Sequence, residues 1–295
     1  MRKEAPGQIN APVISKQKPK KKQLVPFLIE VFAVLICAIV FLIPFYFIII
    51  NSFKTSKEAA EMSMSLPSTY QILANFTEVL TTRDNMLLLA YYNSTVITVF
   101  SVAVLVIVCS MTGFILQRRS GKGKTVLGFA VLSGLMVPPA IVPTIWVLDL
   151  LGLFKTMPGI ISIMVALGIP FSIILYSGFI ATIPKEIDEA AVLDGCGSWR
   201  LFFKIIFPLL KPIHSTVIII SSVNIFNDFV HPLYFFPGAQ NATVQLTLYN
   251  FMSMYNTSWN LLFANVLLIT IPPFILFMFF SKKIVAGMTS GSVKA

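Results

Sequence analysis

Residues 189–208 read EAAVLDGCGSWRLFFKIIFP and stand between two long apolar runs. The stretch is too polar to lie in hydrocarbon, where each polar group must find an internal partner, and its pattern is too regular for a slack linker. Pro184 suits the first position of a helix, and Glu186, Asp188 and Glu189 crowd the first turn, where the helix dipole favours negative charge. Ile187, Ala190, Ala191 and Asp194 follow at i, i+3, i+4 and i+7, a narrow face on which two alanines let another surface approach closely. Gly195 supplies a left-handed stop, Ser198 an N-cap, and residues 199–207 a second short helix that Pro208 cannot continue. The spacing predicts a bent pair of short helices within 184–211, outside the lipid.

The surroundings fix the class. Of the 295 residues, 56% are hydrophobic and only 12% charged, which together with several apolar runs of spanning length excludes a soluble core. Spans are predicted at 26–50, 91–116, 125–148, 159–183, 212–235 and 259–284, giving an all-α polytopic membrane protein with six transmembrane helices. Of the 22 Lys and Arg, only Lys54, Lys57, Arg83 and Lys155 fall on one side of those six spans. Cytoplasmic loops carry the excess, so both termini and the 184–211 loop are expected in the cytoplasm. The net charge of +10 is thus a signature of topology and calls for no nucleic-acid partner. Residues 1–25, rich in Lys, Pro and Gln, are expected to form a disordered basic tail, and 26–295 the membrane domain. Cys37, Cys109 and Cys196 give no disulfide framework.

In the fifth span Asn224, Asn227, Asp228 and His231 recur at i, i+3, i+4 and i+7, a polar stripe on an otherwise apolar helix. A charge at Asp228 facing lipid at mid-membrane would cost about 2.5–3.5 kcal/mol, so the stripe is expected to line the bundle interior or an aqueous path. His214, at the start of that span, reads as interfacial. Pro138, Pro139 and Pro143 in the third span and Gly168 and Pro170 in the fourth mark bends or walls of such a path. The loop at 51–88 suits either docking of a soluble partner or plain solvation. Near 121–125 the sequence GKGKT looks like the end of a phosphate loop, but Arg118 stands where the first glycine is required, and no other match occurs. Any ATP-driven step would therefore need a separate ATPase chain, and this chain is expected to bind no cofactor and no metal.

The spacing of Glu189, Ala190, Ala191, Gly195, Ile205, Phe207 and Pro208 resembles the EAA loop of membrane subunits in binding-protein-dependent ABC importers, with Phe207 where that family usually has Leu. The segment from Asn227 to Leu233 is similar to a stretch in sugar permeases, with Phe226 and His231 where tryptophans are common. The end, GMTSGSVKA at 287–295, resembles the tail of maltose-type permeases, with Ala295 in place of Gly. The resemblance implies a type I importer fold in a prokaryotic cytoplasmic membrane. Its implied partners are a second homologous permease subunit, an ATPase dimer holding ATP and Mg, an external solute-binding protein and a carbohydrate substrate. It implies that Glu189, Ala190, Ala191, Gly195, Ile205 and Pro208 couple the chain to the ATPase, and that the chain itself is not an enzyme. Importers of other solutes carry EAA loops too, and an ion-coupled secondary transporter is a rival reading, although no internal repeat is visible.

Overall fold

A computed structural model describes residues 24–252 and 257–290, all in helices, turns and connections. The chain divides into two compact units, residues 1–46 and 47–295. In the first, α1 (Leu24–Ser52, shared with the second) is apolar and exposed on all faces from Phe27 to Tyr46, as suits a lipid surround.

In the second unit the end of α1 meets α2 (Ser56–Ala60), which a capping box between Thr55 and Glu58 starts. The Ser68 hydroxyl and N–H also donate to Glu58, and these hydrogen bonds, the hydroxyl's most of all, hold its carboxyl below the ordinary range. Lys54 is 1% exposed and has no carboxylate partner among the described residues; its ammonium donates to Ser63 O at 2.7 Å, Ser63 Oγ at 3.0 Å and Asn51 Oδ1 at 3.2 Å. The 51–88 segment is thus partly folded on itself. Its second half is the start of α3 (Ile72–Arg118), whose course is interrupted where Arg83, Asp84 and Asn85 all take positive φ.

The chain continues through α4 (Lys122–Met136), α5 (Ile141–Leu150), α6 (Met157–Ile180), α7 (Glu186–Leu193) and α8 (Ser198–Arg200). A π-helical turn (Leu201–Ile206) leads into α9 (Phe207–Leu209), α10 (Lys211–Phe226) and α11 (Val230–Phe235). Two short 3-10 turns and α12 (Trp259–Ser290) complete it. Among the described residues four helices are long and apolar enough to cross a membrane, or five if the bent pair 198–209 and α10 is one span. The six predicted spans are therefore not six continuous helices. The third is split between α4 and α5 because Val137, which precedes Pro138, is driven into extended backbone (φ −84°, ψ 118°). The fifth is split at 227–229. The expected tail also changes character: α12 runs through 287–290, and 291–295 lie outside the described residues, as does the predicted 1–25 tail up to residue 23.

Among the described residues helices α3 and α6 pack most extensively, and glycines make their close approach feasible. A Cβ on Gly113 would lie 2.9 Å from Tyr176 Cβ, and one on Gly168 would lie 2.8 Å from a Leu105 methyl. The largest core runs from this seam (Leu105, Cys109, Tyr176) to Ala191, Phe202 and Ile206. The 189–208 segment packs one side, Ala191, Leu201, Phe202 and Ile206, into the body of the protein.

Candidate functional site

The 189–208 segment forms the predicted pair of helices, with differences in detail. Helix α7 begins at Glu186 with Lys185 as its N-cap, so Pro184 lies just outside it, and Glu186, Asp188 and Glu189 occupy the first turn. It ends in a Schellman arrangement: the Cys196 N–H donates to Ala191 O at 3.0 Å, the Gly195 N–H donates to Val192 O at 3.0 Å, and Gly195 takes φ +76°. No atom lies within 4 Å of a Cβ built there, so glycine is needed for its backbone angle and not for space. Asp194, expected on the helix face, is the C-cap.

The two alanines part company. Ala190 is exposed beside Glu189, whereas Ala191 is only 5% exposed and packs into the core with Leu201 and Phe202. One alanine lies on the outer surface and the other serves the internal fit. The second helix starts after Gly197, which replaces Ser198 as the N-cap. Helical structure then passes through Pro208 to Leu209 instead of stopping. The π turn explains this: the Phe207 N–H donates five residues back to Phe202 O, and Pro208 falls in the first turn of α9, where a missing N–H costs nothing. Ile205 is half-buried and Pro208 exposed, and the chain bends by 75° before α10.

Two contacts not legible in the sequence hold the pair. The Arg118 guanidinium, at the end of α3, forms an ion pair with Asp188 and donates from Nη2 to Ile183 O at 3.0 Å. His214, expected at an interface, is buried at 8% exposure; its Nδ1 lies 2.7 Å from the Tyr176 hydroxyl and its Nε2 3.0 Å from Phe207 O. On the outer surface Glu189 is exposed, flanked by Leu193 at 88% exposure and Trp199 at 70%. An exposed carboxylate beside exposed apolar side chains can accept a cation from another protein and bury area around it.

The polar stripe is divided by the break in the fifth span. Asn224, Asp228 and His231 line one cleft of about 240 Å³ with Phe171, Ser172 and Ser221. Asn227 does not join them: it caps α10 and its Oδ1 accepts from Gln245 Nε2 at 3.0 Å. Within the cleft Asp228 is engaged, one oxygen accepting the His231 N–H at 3.1 Å and the other lying 2.5 Å from His231 Nδ1. From the position before the N-cap Phe229, it thereby satisfies one free N–H in the first turn of α11. Ser172 and Ser221 were missed in the sequence because an isolated serine on an apolar helix gives no periodic signal.

Residues 109–290 match the family model described as binding-protein-dependent transport system inner membrane component. The chain belongs to that family. Among its relatives is the probable starch degradation products transport system permease protein AmyC of Thermoanaerobacterium thermosulfurigenes, 30% identical over 88% of this chain and 94% of that one. Another is the melibiose/raffinose/stachyose import permease protein MelC of Bacillus subtilis (strain 168), 36% identical over 70% of this chain and 75% of that one. The fold is similar to that of a chain in the crystal structure of a bacterial ABC transporter involved in the import of the polysaccharide alginate, with TM-score 0.76 and 21% identity over 90% of this chain and 99% of that one. This family member is accordingly an all-helical membrane permease.

Proposed function

We propose that the protein is one of two membrane subunits of an ATP-driven importer for a carbohydrate, working with a second permease, an ATPase dimer that binds ATP and Mg, and an external solute-binding protein. The observation that carries this reading is the segment 189–208. It is a bent helix pair anchored in the core through Ala191, Phe202 and Ile206, and it presents Glu189, Leu193 and Trp199 outward. The import permeases among its relatives support carbohydrate as the cargo.

In this reading both termini and α7 face the cytoplasm, α4 with α5 forms a broken third crossing and α10 with α11 a broken fifth, which makes six. The pair 189–208 docks on the ATPase, with Glu189 meeting a basic residue there and the Gly195 bend setting the angle. Closure of the ATPase dimer moves the pair as a rigid lever and rotates the helices around the cleft of Asn224, Asp228 and His231, alternating its access between the two sides. No covalent chemistry occurs in this chain. Purifying the chain from its native membrane and identifying its companions tests the reading: a co-purifying ATPase and uptake of labelled melibiose, raffinose or maltose that stops when ATP is removed are expected. Uptake by the chain alone in liposomes, driven by an ion gradient, would overturn it.

A further inference from the structure

Tyr176, His214 and the Phe207 carbonyl form a buried hydrogen-bonded chain at the 75° bend between residues 198–209 and α10. A carbonyl only accepts, so His214 Nε2 carries a hydrogen and donates to Phe207 O. In the neutral imidazole Nδ1 then accepts the Tyr176 hydroxyl, and all three groups are satisfied. No carboxylate lies within ion-pair distance of this imidazole among the described residues. The Phe207 and His214 rings are also in contact, with centroids 4.3 Å apart.

The location gives the chain its meaning. At a bend the last carbonyls of the incoming helix lose their ordinary donors four residues on. The Phe207 carbonyl receives the Leu210 N–H at 3.2 Å and, in addition, the imidazole from the following helix. His214 thus ties the end of the π turn to α10, and Tyr176 ties both to α6 at the point where α6 lies against Gly113 of α3. A leucine at position 214 would fill the space, but it would leave the buried Tyr176 hydroxyl unpaired and could not hold a carbonyl in one direction. What the polar chain supplies is a fixed angle.

We propose that His214 is a positioning residue for transport: with Tyr176 it locks the bend, so that movement of residues 198–209 reaches α10 and the cleft as a rotation and is not absorbed at Leu210. The proposal rests on the reading of 189–208 as the ATPase contact. Its test uses the assembled complex in nanodiscs, with spin labels at Glu186→Cys on α7, an exposed position outside 189–208, and Val230→Cys on α11, in a background in which Cys37 and Cys196 are serine. Distances are measured nucleotide-free and after trapping with ATP and vanadate. In the parent protein the distribution between labels is expected to stay narrow in both states.

Tyr176→Phe and His214→Ala are expected to broaden it by about twofold while ATP hydrolysis continues within about twofold of the parent rate, and the double variant to add little to either single one. His214→Gln, whose amide can donate to the carbonyl and accept from the phenol, is expected to restore the narrow distribution. Unchanged widths in Tyr176→Phe, which removes one oxygen and leaves packing intact, would overturn the latch even if His214→Ala fails to fold. Failure of the parent complex to trap nucleotide would instead sink the reading of 189–208 itself.

Discussion

The Arg118 guanidinium and the Asp188 carboxylate pair across the gap between the last turn of α3 and the first turn of α7, with both side chains largely buried. Arg118 also holds the Ile183 carbonyl and lies over the Phe114 ring. The outer helix of the 189–208 pair is therefore fastened to α3, and the segment has a second attachment besides its own chain ends. Breaking a largely buried pair by removing one partner costs on the order of 3 kcal/mol, because the other charge stays behind. Asp188→Ala is expected to keep the protein in the membrane yet lower ATP-dependent uptake by about tenfold, and Arg118→Ala to lower it further because it loses the carbonyl contact too. Uptake in vesicles matched for protein content checks both, and equal effects on uptake and on thermal unfolding would reduce the pair to a stabilising contact.

Glu189 is exposed in the first turn of α7, so Glu189→Arg disturbs no core residue and forfeits only about 1 kcal/mol of favourable helix-dipole interaction. Membrane insertion and melting temperature should hardly change while the ATPase no longer co-purifies and uptake stops. Gly195 offers the complementary test. Its φ of +76° is closed to proline, and Gly195→Pro also deletes the N–H that caps Val192. Gly195→Ala should cost about 1–2 kcal/mol, and Gly195→Asn, which visits the left-handed region more readily, less than that. Normal uptake in Glu189→Arg or Gly195→Pro would refute the lever.

The helix pair could be read from the sequence because its signals are local: acids in a first turn, glycine at a left-handed stop. The helical period put Ala190 and Ala191 on one face; which of them meets the core depends on Phe202 and Ile206, positioned by the π turn. That turn has no local signature, and it is why Pro208 does not end the helix. The partners of Arg118 and His214 lie 70 and 38 residues away in sequence. Before their contacts were visible, one was a topological charge and the other an interfacial histidine. Hydropathy marked the third and fifth spans as single units because it averages over the Pro138 and Asn227 breaks. The polar stripe survived only where the break left it on one side.

That division makes the stripe testable. Asn224 faces the cleft, and Asn227 is held by Gln245 away from it. Asn224→Leu should narrow the cleft and reduce uptake by about tenfold or more with little loss of stability, whereas Asn227→Leu should change uptake much less. Asp228→Asn retains a capping side chain and Asp228→Ala does not, so the alanine should cost about 1 kcal/mol more. Uptake and thermal unfolding of all four in parallel decide the matter, and equal losses in the two leucine variants would mean that the cleft is not the path.

The seam between α3 and α6 sets the position of everything attached to it, since Tyr176 and Arg118 hang from its two helices. A methyl group on Gly113 would meet Tyr176 Cβ at 2.9 Å and the Ser177 nitrogen at 3.1 Å, both atoms of a rigid helix that cannot turn aside. One on Gly178, two residues beyond Tyr176 on the same α6, would meet nothing within 4 Å. Gly113→Ala should therefore push the helices apart at a cost of about 1–3 kcal/mol. Gly178→Ala should be neutral or stabilising by up to about 1 kcal/mol, since alanine is the better helix former. Melting curves of the two variants in the same detergent give the comparison. A Gly113→Ala protein as stable as the Gly178→Ala one would mean that the helices are not pressed together at this point, and the Tyr176 anchor would lose its support.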